Sequence, residues 1–183
     1  MADMSVQTTF SAAPAIGYEG MLDAGAHDIM TFKNAESTAA IAFGRAVVFK
    51  GSPTTDKDAV LPALETNKVA GIVVHSHAYS RVWTDASGTK YGELDTDGLR
   101  PGTLLNVLRK GRVLVRCEDG CVPGDRLWVR CTVGSPSTVE YLGSLNNADE
   151  GTEMIDCTTQ GVWLTTASAE GLAWLDVDFT NEP

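Results

Sequence analysis

Residues 104–131 read LLNVLRKGRVLVRCEDGCVPGDRLWVRC, and the reading of this stretch decides the fold. It holds six cations, Arg109, Lys110, Arg112, Arg116, Arg126 and Arg130, against Glu118, Asp119 and Asp125, a local charge of +3. The whole chain carries −10, so the remainder carries −13. In GRVLVRC, strand parity sends Val113, Val115 and Cys117 one way and Arg112, Leu114 and Arg116 the other. In DRLWVRC, Leu127, Val129 and Cys131 share a face, and Arg126, Trp128 and Arg130 share the opposite one. Between them Pro123 and Gly124 suit the central pair of a type II turn. If the two runs pair as a hairpin, their apolar faces must coincide, because a one-residue slip would bury arginine. The expectation is a hairpin with an aliphatic underside and an outer face of Arg112, Leu114, Arg116, Arg126, Trp128 and Arg130. A tryptophan framed by arginines has the composition of a protein interface, whose arginines would meet carboxylates of a sister subunit or another protein. The alternative is a solvated face whose arginine stems cover Trp128.

Outward from this stretch, the chain is a series of short β-type runs: IAFGRAVVFKG, KVAGIVVHS, GTLLNVLRKG, STVEYL, EMIDC, GVWLTT and GLAWLDVDF. Each is rich in Val, Leu, Ile or Trp and bounded by Gly, Pro, Asp or Ser. No segment offers the 3.6-residue period of an amphipathic helix. Residues 1–40 lack either period, and Gly17, Gly20 and Gly25 interrupt every candidate turn of helix. The fold class expected is all-β, a small barrel or sandwich, with an extended arm over residues 1–40 and a β body over 41–183. Ile16, Tyr18, Met21 and Leu22 are the arm's apolar anchors. A polar loop is expected at residues 84–102.

Several chemistries are disfavoured. The −10 charge opposes nonspecific binding to nucleic acid or anionic membrane. The longest apolar runs are too short to span a bilayer, and the start shows no secretory signal. The four cysteines are therefore expected as reduced thiols. Cys117, Cys121 and Cys131 lack the paired knuckles of a zinc ribbon, and Cys157 stands apart. His75 and His77 form an H-x-H, as in cupin-like metal sites, but His27 is the one remaining histidine and lies upstream in the arm. No metal or cofactor is expected. No nucleophile elbow or phosphate loop is present, and the carboxylates of NNADEGTE read as solvated. A cupin-like metal-binding barrel and a small β-barrel nucleic-acid binder are the rival readings.

The order of the runs resembles a known family. IAFGRAVVFKG, KVAGIVVHSHAYS, LRPGTLLNVLRKGRVLVRCEDGCVPGDRLWVR and a closing LNNADEGTEMIDCTTQGVWLTTASAEGLAWLDVDF follow one another as in the structural cement, or head decoration, proteins of tailed bacteriophages. The cysteines and the H-x-H depart from that pattern. The resemblance implies a non-enzymatic homotrimer on the outer surface of the assembled capsid. Its partner would be the major capsid protein, whose capsomers it would clamp against internal DNA pressure. It would reside in the virion, and in the host cytoplasm during assembly.

Overall fold

The computed structural model describes residues 17–51, 57–76, 98–132 and 142–180, together with three two-residue strands between 83 and 95. Ile16, His77 and most of the STVEYL run lie outside the described residues. Among the described residues there is no α-helix, and the fold is all-β, as the runs predicted. The first strands are β1 (Met21–Leu22), β2 (Asp28–Asn34), β3 (Ala46–Phe49), β4 (Asp58–Val60) and β5 (Val69–Val73). β6 (Trp83–Thr84), β7 (Lys90–Tyr91), β8 (Leu94–Asp95) and β9 (Gly98–Leu99) follow. β10 (Leu104–Arg116), β11 (Gly120–Cys121), β12 (Arg126–Arg130) and β13 (Leu145–Asn146) come next. β14 (Met154–Trp163), β15 (Ala167–Ser168) and β16 (Leu172–Asp178) complete the set.

β10 is the spine. GTLLNVLRKG and GRVLVRC, read above as two runs, form one 13-residue strand. Its first half pairs with β2 along one edge and β5 along the other. With β4 and β3 completing the circuit, these five strands close a barrel in the order β10-β2-β4-β3-β5 and back to β10. Its second half pairs with β16 and with β1, and the same hydrogen-bonded network continues past the barrel as a second sheet region, β16-β14-β12-β13. A bridge from Cys117 to Leu145 returns β13 to the end of β10. The switch between the two units falls at a register shift between Leu108 and Lys110. The His27 ring packs beside it over Gly111, where a Cβ would sit 2.6 Å away.

Two cores follow from period-two parity on strands buried on both faces. Phe32, Ile41, Val47, Val73, Leu105 and Val107 pack one against another as the barrel core. Ala46, Val48, Ile72 and Leu108 belong to the second core, with Val113, Val115, Leu127, Trp163 and Leu175. This explains the unbroken apolar run VAGIVV: every residue of β5 is buried. Burying each large aliphatic side chain contributes about 1.5–3 kcal/mol. At Gly71 the backbones of β5 and β10 come so close that a Cβ would lie 2.3 Å from the Leu108 carbonyl oxygen.

Two expectations need correction. The 112–131 hairpin does not form. The Val122–Asp125 turn is present, with its i to i+3 hydrogen bond at 3.1 Å and Gly124 at φ +97°. Yet β11, before the turn, pairs with β15, and β16 and β14 lie between β10 and β12. Residues 21–34, assigned to the arm, also sit in the sheet. β1 and β2 run antiparallel along one edge of β10, and Phe32 is fully buried in the barrel.

Candidate interaction surface

The six residues expected on one outer face are divided among three environments. Lys110, Arg112 and Arg116 stand on the outside of β10, where register sets Lys110 opposite Asp178 and Arg112 opposite Asp176. Lys110 Nζ donates to Asp178 Oδ2 at 2.7 Å. That bond, with others from Thr180, holds the Asp178 carboxyl well down, to about 2. Arg112 Nε lies 3.6 Å from Asp176, with Asp23 at 4.0 Å. Arg116 donates to Glu19 and approaches Glu170 at 3.4 Å, and the Glu19 bond raises its already high pKa. Arg112 and Arg116 remain about half exposed. Their nearest carboxylates are thus in the same chain. Leu114, between them by parity, is fully buried, because β1 lies alongside and the Met21 and Leu114 side chains converge beneath Gly17.

Arg130 is the second environment, and it is not on a surface. Its side chain is 1% exposed. Nε donates to both Glu118 oxygens at 3.0 and 2.9 Å, Nη2 to Glu150 at 2.8 Å and Nη1 to Glu153 at 3.2 Å. Burial works against its charge, but Glu118 and Glu150 more than offset this and push the guanidinium pKa up. Burial pushes Glu118 up as well, against the pull of Arg130. Asn146, fully buried, donates to Asp119 at 2.8 Å and to Glu150 at 2.9 Å. The acidic loop read as solvated is therefore bound to the body. Two of its carboxylates, Glu150 and Glu153, satisfy one buried arginine. The sequence signal was available in principle: one arginine and several carboxylates flanking a β-run, at a parity that only a covering loop could bury.

Trp128 and Arg126, on β12, are the third environment. Arg126 is exposed and Trp128 half-buried. Register places Trp128 between Asn146 and Asp156. It lines an open depression of about 520 Å³ with Glu65, Asp149, Thr152, Met154 and Asp156. The surroundings of Trp128 are acidic, not the arginine frame expected.

Of the arm residues, Tyr18 is 47% exposed, while Met21 and Leu22 are half-buried in β1. The Tyr18 ring meets His75 edge-on at 5.0 Å, and Phe43 meets the same imidazole at 4.9 Å. His75 is thus held among aromatic rings just past β5. All four cysteines are free and buried. Burial raises the thiol pKa values of Cys117, Cys121 and Cys131. Among the described residues no three His, Cys, Asp or Glu side chains are grouped to hold a metal ion.

A family model described as structural cement protein (E217 gp24/Pam3 gp6) matches residues 6–178. Among solved structures, a chain from the capsid of Myoviridae phage XM1 superposes with a TM-score of 0.59 at 17% identity, covering 97% of each chain. That likeness is one of fold. No curated protein sequence matches.

Proposed function

Because the chain belongs to the phage structural cement protein family, we propose that it attaches to the outer surface of an assembled capsid and reinforces contacts between capsomers. The family match across nearly the whole chain carries this reading. The role is structural, its place is the virion, and its partner is the major capsid protein. The subunit acts as a trimer, so that several modest contacts add through effective concentration. The architecture suits a clamp. One strand runs through both units, so a load on the barrel passes into the second sheet without a flexible linker. Arg112 and Arg116 of β10 meet carboxylates of their own chain, which leaves Trp128, Arg126 and the exposed Tyr18 as candidate contacts. The net charge of −10 keeps the protein off packaged or free nucleic acid.

The test is reconstitution. Purified protein added to heads that lack it should bind to a fixed number of sites and raise the temperature at which the heads release DNA. Heads that bind no protein, or that gain no thermal resistance on binding, contradict the reading.

A further inference from the structure

The depression around Trp128 differs from the rest of the acidic surface. Wherever β10 or Arg130 meets a carboxylate, the structure pairs the two: Glu19, Glu118, Glu150, Glu153, Asp176 and Asp178 all lie in ion pairs. Glu65, Asp149 and Asp156 line the depression, and among the described residues none of the three is in an ion pair. Asp149 accepts from the Gly151 amide at 2.7 Å and Asp156 from the Thr158 amide at 2.9 Å, bonds that engage Oδ1 of each carboxylate. Among the described residues no Lys or Arg lines the depression, and Trp128 within it is half-buried. A shallow depression that combines a part-exposed indole with three carboxylates outside any ion pair is complementary to a cation on a stem that can be desolvated. A guanidinium fits better than an ammonium, since it stacks on the indole and bonds carboxylates through a planar fork.

We propose that the Trp128 depression receives an arginine side chain of the capsid shell protein, laid over the indole and ringed by Glu65, Asp149 and Asp156. This rests on the capsid-binding reading above and names one contact within it. The experiment titrates heads lacking the protein with wild type, Trp128→Ala, and the triple variant Glu65→Gln, Asp149→Asn, Asp156→Asn. The amides retain the acceptors for Gly151 and Thr158, so the loop keeps its bonds. Lys110→Ala, on the outside of β10, is the control. Both site variants should bind at least about tenfold more weakly, as expected for an aromatic-arginine hot spot. Wild-type affinity should also fall more steeply with added NaCl than that of the triple variant. Undiminished binding by the triple variant overturns the proposal while leaving capsid attachment intact. Loss confined to Trp128→Ala overturns it in favour of an apolar occupant. Loss confined to the triple variant removes the stacked arginine. Light scattering that shows weakened self-association, with head binding unchanged, assigns the depression to a second copy and also overturns it. Wild type that binds no heads sinks the capsid-binding reading itself, and this inference with it.

Discussion

Replacing Arg130 with alanine should be among the most damaging single substitutions in this protein. The side chain is 1% exposed, and its closest partner, Glu118, is 8% exposed and cannot reach water without moving the backbone after β10. Glu150 and Glu153 are 32% and 37% exposed and can turn outward, so Glu118 dominates the cost. Removing one partner of a buried pair costs about 3–5 kcal/mol, because the remaining charge is left desolvated and unpaired. With two of three carboxylates able to relax, we place the loss at about 4 kcal/mol. For a domain of this size that lowers Tm by roughly 8–16 °C. The sign of the pH dependence follows from Glu118. Burial already raises its folded pKa, and loss of Arg130 removes the opposing pull. A carboxyl whose folded pKa lies above its unfolded value destabilises at pH above both, and the penalty is relieved as pH falls through the folded value. The deficit of Arg130→Ala should therefore narrow on acidification from pH 7. The double variant Arg130→Met, Glu118→Gln should recover to within about 2 kcal/mol of wild type. The assay is denaturant unfolding of all variants at several pH values. An Arg130→Ala loss below about 1 kcal/mol, or a loss that Glu118→Gln does not relieve, refutes the reasoning.

Gly71→Ala should destabilise by more than about 2 kcal/mol, since the new methyl meets the Leu108 carbonyl at 2.3 Å with φ at +149°. Amide exchange across the β5–β10 closure should rise in any folded population. Asp178→Asn should lower stability at neutral pH and converge with wild type in acid. Its folded pKa of about 2 lies below the unfolded value, so the Lys110 pair contributes above pH 4 and is lost as pH falls through about 2. The four thiols should resist a thiol-reactive chromophore in native protein and react fully in denaturant, because all are buried and the titration values of three are raised. Rapid native labelling of any of them contradicts the packing of the second core.

Local physics was legible in the sequence, and partner choice was not. The apolar run of β5, the turn at Val122–Asp125 and the inward placement of Cys117 and Cys131 follow from composition and parity alone. The pairing of β10 did not. A turn between two apolar runs specifies a bend, and the strand beside each run is set by distant segments, here Leu172–Asp178 and Met154–Trp163. Parity placed Leu114 and Arg130 away from the aliphatic face of their runs. It could not show that β1 covers one and the acidic loop 147–153 holds the other. The arm was misjudged at Asp28–Asn34 because an apolar Ile29 faces outward and a polar Asn34 is buried, which blurs the apolar-polar alternation. The surface around Trp128 was missed because its acids, Glu65, Asp149 and Asp156, come from separate parts of the chain.

The central claim, that this chain is a cement on the capsid exterior, is tested most directly by an averaged image of purified particles at a resolution that traces side chains. The prediction is density for β10, continuous through barrel and second sheet, on the outer surface at capsomer junctions, with three copies around each site and Trp128 against the shell. Particles whose exterior carries no such density, or on which this chain stands as isolated single copies away from the junctions, contradict it.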